Sequence, residues 1–497
     1  MPPDFFNPPV AAFNVYQLTS TYISINREVT DVLWQTWWAC VQPLRPAFTR
    51  EVTFLWFCVA LVGMTVRHDT TGVTSYVRCL GLRDRCYKSL LDMFHSRAIR
   101  LDKLTASWAS IVLKTCAPYL CRVNGRYVCL GDGIKIAKEG KKMPAVKKLH
   151  QESQSNTKPT YIMGHSCQAI ALLAGRFSYF FAIPLVSRIH EGLIFPKTKK
   201  TTLLDKMAAM LAALNLSHPI YFVADAYYAS GRLIKTLRTN DVQLITRARS
   251  NAVAYKLMKT STSSKRGRPK KYGAKVKLKH LFNSSTFVQA ESPVYGEKGI
   301  PLLYSARDLM WRPVGDVVRF VLVKHPKRGF IILMSTDRSL DAIDIIRLYG
   351  LRFKIEVSFK QAVHTLGTYS YHFWMKSMKS ISRQQGNQSL QSKSDQYIKR
   401  VTNKMHAYHA HIQLGTIAQG LVVMLSIMAN NNVWHSFGSW LRTIRKDVLP
   451  SEAVTAMALR NTLAEYLDVF GKRSILLKFL IARIDTTRAE GYRLVAA

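Results

Sequence analysis

The chain has 497 residues, of which 71 are Lys or Arg and only 30 are Asp or Glu, for a formal net charge of +41. A hydrophobic share of 48% excludes a wholly disordered polymer and allows several buried cores. The charge favours polyanionic partners, nucleic acid before anionic membrane, and the most apolar runs, Val52–Val66 and Gly415–Ala429, have 15 residues each, short of the roughly 20 that span a bilayer.

The first residues, Met1 to Asn14, lack the basic start and continuous apolar stretch of a secretory signal. Residues 1–120 are expected to be a helical DNA-binding region, with helical spacing through Val29–Trp38, Val52–Val66 and Leu101–Leu113. Asp69 to Phe94 reads as two short helices joined near Gly81, either a helix-turn-helix-like unit or plain helical packing. Eight cysteines, from Cys40 to Cys167, show no zinc-knuckle spacing and sit in apolar surroundings. They are expected to be free thiols in a reducing, cytoplasmic setting.

Residues 121–247 change to strands, expected at Tyr127–Lys135, Thr160–Ser166, Gln168–Leu173 and Phe177–Val186. A helix over Thr201–Leu214 follows, then strand Ile220–Asp225, helix Ser230–Thr239 and strand Val242–Arg247. That order indicates a mixed α/β sheet. Residues 248–315 break the rhythm and read as a basic, strand-rich insertion. The core resumes over 316–375 with strands Val317–Lys324 and Gly329–Ser335 and a late helical stretch through Glu356. Residues 376–400 are Gln-, Ser- and Lys-rich and read as a mobile polar linker. Residues 401–497 are helical, with apolar faces suited to contact between two copies.

Three carboxylates stand out in so basic a chain. Asp132 and Asp225 close apolar strands, and Glu356 lies in a basic helix. A carboxylate in basic or apolar surroundings is costly without a cation. A hard divalent ion takes one or two carboxylates together with substrate phosphates, and two such ions can clamp both reacting oxygens of a phosphodiester. Each acid also has a plainer reading. Asp225 suits a helix cap, Asp132-Gly133 suits a hairpin turn, and Glu356 can pair with Arg352 and Lys360.

The order of the acids, the insertion before the third, and Tyr349-x2-Arg352-x3-Glu356 together resemble DDE transposases of bacterial insertion sequences, of the insertion-sequence-four type. The resemblance implies an α/β, ribonuclease H-like mixed sheet with a strand-rich insertion, flanked by helical N- and C-terminal regions. It implies that Asp132, Asp225 and Glu356 are catalytic and hold two Mg²⁺ (or Mn²⁺) ions. The attacking group would be water and then the freed 3′-hydroxyl. The implied partners are double-stranded DNA, both terminal inverted repeats and target, and a second copy of the chain; the implied location is the nucleoid. Two alternatives stay open: a ribonuclease H-like nuclease or resolvase without strand transfer, and a non-catalytic DNA-binding regulator.

The family signature ends in Lys seven residues after the Glu, where this chain has Val363. Residues 349, 352, 356, 360 and 363 share one face at helical spacing, so Lys360 is expected to take over the DNA contact beside Tyr349 and Arg352. Lys135 and Lys138, followed by Lys141, Lys142, Lys147 and Lys148, are expected to neutralise phosphates or to form a solvated loop. Arg266 and Arg268 lie in an Arg-Gly-Arg-Pro run that resembles an AT-hook for narrow minor grooves; a phosphate-binding loop is the plainer reading. Trp311 suits base stacking or core packing. His406, His409 and His411 lack partnering Cys or acids in sequence, so no zinc site is expected.

Overall fold

The run from Tyr127 to Gly131 is apolar without alternation, as expected of a strand covered on both faces. In the computed structural model, which describes residues 32–151, 159–196, 201–258, 271–438, 447–470 and 474–495, this run is central to a mixed sheet. Strand β1 (Arg126–Ala137) is antiparallel to β2 (Tyr161–Arg176), which is antiparallel to β3 (Tyr179–Ile189). On its other side β1 is parallel to β4 (Ile220–Ala224), which is parallel to β5 (Val242–Arg247). The spatial order β3-β2-β1-β4-β5, with only β2 reversed, is the ribonuclease H-like arrangement that the resemblance implied. Helices α1 (Leu203–Ala213) and α2 (Gly231–Arg238) join these strands. A reciprocal cap between Thr202 and Asp205 opens α1, satisfying donors that a helix start leaves unpaired.

The sheet continues through β8 (Gly329–Ser335), β7 (Asp316–His325) and β6 (Pro301–Trp311), each antiparallel to the one before. The stretch expected as an insertion thus supplies β6 to the same sheet. Strands expected separately at Thr160–Ser166 and Gln168–Leu173 are one strand. The polar residues around the expected division are buried with partners: His165 bonds Tyr371 Oη at 2.7 Å and the Pro144 carbonyl at 2.9 Å.

Side-chain alternation divides the core in two. Tyr127 and Cys129 of β1 and Phe222 of β4 face the terminal helices, whereas Val128, Leu130, Tyr221 and Val223 face α3 (Ala342–Leu351). Helix α4 (Lys354–Gln361) follows at once. The turn between them is tightened, with the Arg352 amide donating to the Tyr349 carbonyl and the Ile355 amide to that of Arg352, spacings of the 3₁₀ kind. A wide π-type turn over Ala362–Leu366 follows. The single face expected for residues 349–363 is therefore interrupted twice, and Val363 packs against the core.

The terminal helices form one layer. Helix α5 (Asp395–Met428) lies against β3 and the N-terminal helices, including Glu51–Val66 and Arg85–Phe94. By length and composition α5 could cross a membrane, but its apolar window is 94% buried within the protein. Its apolar face, suggested for contact between copies, is largely used inside the chain. The two short helices expected around Gly81 form at Val73–Cys79 and Arg85–Phe94. Tyr76 and Phe94 bury into the core, while Arg83, Arg85 and Lys88 stay exposed. The linker expected at 376–400 is anchored: Gln388–Ser389 pairs with Leu193–Ile194, Leu390 is buried, and α5 begins at Asp395.

Gly131 sits where the sheet has no room for a side chain. A methyl group there would lie 2.1 Å from Phe222 Cζ, within a close-packed core. Gly131→Ala should lower stability by about 1–3 kcal/mol, read as a reduced apparent melting temperature; an unchanged midpoint would contradict this packing.

Candidate active site

β1 and β4 are parallel, with Gly131 beside Ala224. The next residues along the two strands are Asp132 and Asp225, so the carboxylates leave the sheet as neighbours on the face that carries α3 and α4. Asp132 is also where β1 emerges: burial is continuous up to Gly131 and alternates afterwards. Ligands of open α/β sheets bind outside such carboxyl ends. Asp132 is not in a turn, since β1 runs on to Ala137. Asp225 does cap, its Oδ1 accepting the Tyr227 amide at 3.0 Å, and Thr246 donates to its carbonyl at 2.6 Å.

Arg352 supplies the third side. One guanidinium nitrogen lies 2.8 Å from Asp132 Oδ2 and the other 2.6 Å from Glu356 Oε1. Glu356 is thereby joined to the first strand across the tightened turn. The pairing of Glu356 with Arg352 weighed from sequence is present, and it includes Asp132 as well. Burial pushes the Asp132 carboxyl up to about 6; Arg352 and the Gly133 amide oppose this, while Asp225 and Glu356 add to it. Burial also works against the Arg352 charge, yet Asp132 and Glu356 hold its pKa above the ordinary value.

The charge balance bears on a metal. Among the described residues no group of three or more His, Cys, Asp or Glu is gathered closely enough to hold an ion. Carboxylate oxygens at Asp132, Asp225 and Glu356 are nevertheless the donor type that a hard divalent cation takes. Burial, with Asp225 and Glu356 nearby, makes a charged Asp132 costly even beside Arg352. These residues fit such an ion by chemistry.

Other expected residues fall in varied places. Tyr349 is half-buried, its pKa raised by burial with Arg352, Arg247 and Asp225 nearby. Lys360 is exposed on α4. Lys135 is exposed on β1 and donates to the His150 carbonyl at 2.7 Å. Lys138 does not face a phosphate track: it is buried, donates to the Tyr369 and Tyr371 carbonyls, and sits 3.9 Å from the Tyr371 ring centroid. Burial lowers its pKa to about 8. Arg266 and Arg268 lie outside the described residues. Trp311 is buried at the end of β6. His406, His409 and His411 each bond backbone, through Ser96, Ile189 and Thr368 respectively.

Sequence reading missed the residues behind Asp132. Gln168 donates to Tyr228 Oη at 3.1 Å and its Oε1 lies 2.6 Å from His190 Nδ1. Burial, then the Asp132 charge, raises the Tyr228 pKa. The available signal was Gln168 itself, a polar residue amid an apolar strand.

Residues 187–368 match the family model of the transposase DDE domain. The match takes in Asp225 and Glu356 and begins after Asp132. No curated protein matches the chain. One similar solved structure is the piggyBac transposase synaptic complex with hairpin DNA, at TM-score 0.36 and 11% identity, covering 89% of this chain and 78% of that one.

The raised Asp132 pKa has a stability consequence. Its native value of about 6 exceeds the unfolded value of about 4. The native state therefore gains stability as pH falls from 6 toward 4, and carries the cost of the charge above 6. Asp132→Asn should melt no lower than the unaltered protein at pH 8, with any gain narrowing toward pH 5. A melting temperature clearly lower at pH 8 would refute this account.

Proposed function

We propose that the chain is a DNA transposase that cleaves the ends of its element and joins them to target DNA. The observation carrying this reading is that Asp132, within β1, and Asp225, just after β4, lie side by side on adjacent parallel strands, with Glu356 joined to Asp132 through Arg352. The family match over residues 187–368 supports transposase chemistry. The spacing of Tyr349, Arg352 and Glu356 supports the insertion-sequence-four type.

Two Mg²⁺ or Mn²⁺ ions, when bound, would activate the attacking oxygen and neutralise the leaving one. The three acids present the oxygens that would hold them. Arg352 fixes Glu356 relative to β1 and offers its remaining donors to a phosphate. Exposed Lys360 and Lys135 neutralise neighbouring phosphates, which makes binding salt-dependent. A homodimer would bring two element ends together before cleavage.

The decisive assay uses purified protein and DNA carrying the terminal repeats that flank the gene. Cleavage should require Mg²⁺ or Mn²⁺, and joined products should follow. Nicks without joining would instead indicate a nuclease. Asp132→Asn, Asp225→Asn and Glu356→Gln should each abolish cleavage while retaining DNA binding; full activity in any of them removes that residue from the site. Because protons compete with the cation for Asp132, whose carboxyl lies at about 6 without metal, the Mg²⁺ concentration needed for cleavage should rise as pH falls through that value, and a requirement that does not change with pH would count against its role. Lys360→Ala should weaken end binding and lower its salt dependence, and unchanged binding would leave the Val363 position without a substitute.

A further inference from the structure

Beyond Asp132, β1 runs on past Ala137 into a cavity of about 690 Å³. The cavity lies between the segment 137–148, the start of β2, and residues 381–384 of the anchored polar stretch. Lys141, Lys148 and Arg383 line it, against one acid among the described residues, Glu139. The polar stretch is held here by backbone bonds, the amide of Met375 to the Lys142 carbonyl and that of Ile381 to the Lys141 carbonyl.

Two large aromatic side chains are left exposed here, one lining the basic cavity and one beside its Gly140. Tyr161 lines it and is 51% exposed, with Lys148 Nζ 4.1 Å from its ring centroid and His150 edge-on at 5.2 Å. Trp374 is 64% exposed and covers the cavity-lining Gly140: a methyl group on that glycine would lie 3.1 Å from its Nε1. Exposed rings beside cations are costly as plain surface, since apolar area stays in water. They match what a single nucleic-acid strand needs: cations that follow the backbone and rings on which unpaired bases stack. A duplex keeps its bases stacked inside and would use the cations alone.

We infer that Tyr161 and Trp374, with Lys141, Lys148 and Arg383, form a binding site for an unpaired DNA strand, apart from the carboxylates. The inference rests on the proposed function for its choice of DNA. The strand's phosphates enter the cavity and its bases stack on the two rings.

The test is fluorescence anisotropy with a labelled oligothymidine and a labelled duplex of equal length, in chelator so that no cleavage intervenes. Trp374→Ala and Tyr161→Ala should each weaken oligothymidine binding about fivefold or more and leave duplex binding unchanged. Trp374→Phe and Tyr161→Phe should retain most of it. Lys141→Ala and Arg383→Ala should make the salt dependence shallower. Unaltered melting temperatures in the alanine variants would assign the loss to the surface. Three results would each overturn the inference: no oligothymidine binding by the unaltered protein, alanine variants that bind it normally, or equal losses for duplex and single strand. The cleavage assay is independent of this one, so loss of the transposase reading would show there and not here.

Discussion

The Arg352 guanidinium is the interaction on which the site depends. It joins residues 220 positions apart in the chain, Asp132 on the first strand and Arg352 on the late helical turn. Two carboxylates near a third cannot all stay ionised in a partly buried pocket without a cation. Removing Arg352 would strand the Asp132 charge, a loss that costs a buried pair about 3–5 kcal/mol and less here because Arg352 and Asp132 are each partly exposed, whereas loss of the Asp132 charge leaves Arg352 paired with Glu356. Arg352 therefore acts on geometry and charge together. The tightened turn between α3 and α4 lets its side chain reach both acids.

Behind the site, other cations hold the chain that leaves α4. Arg67 is buried and donates to the Leu366 carbonyl. Lys138 donates to the carbonyls of Tyr369 and Tyr371, and His411, which burial keeps uncharged, has Nδ1 3.1 Å from the carbonyl of Thr368. Helix ends leave carbonyls unpaired, and cations satisfy them well. Gln419 of α5 adds bonds to the Ser358 carbonyl and hydroxyl at 2.9 and 3.0 Å. The net charge of +41 is thus not wholly an exposed field. Some of it stitches the helical layer to the segment that fixes Glu356.

The acids and most strands were legible because apolar runs ending in a carboxylate are local signals. Strands Val242–Arg247 and Gly329–Ser335 formed with the boundaries read from sequence. The alternation that sends Asp132 and Asp225 to one face is also a local property. What stayed hidden was non-local. His165 and Gln168 flank the expected division of one strand, and their partners, Tyr371 and Tyr228, lie far along the chain. Lys138 looked like a DNA contact because nothing nearby in sequence announces the two carbonyls and the ring around it. The break in helix after Leu351 has no proline to mark it. It follows from the reach of Arg352 toward Asp132 and from the burial of Leu351 and Ile355.

Strand β1 gives the molecule an intrinsic ruler. From Asp132 to Ala137, where the basic cavity begins, it advances about 17 Å at the usual rise of an extended chain. Duplex DNA covers that distance in about five base pairs at roughly 3.4 Å each, and an unpaired strand, free to extend, in fewer nucleotides. A rigid sheet strand cannot stretch or fold to accommodate other lengths. Any nucleic acid held at both ends of β1 would therefore be gauged by the protein, with the reach fixed by hydrogen-bonded backbone and not by base sequence.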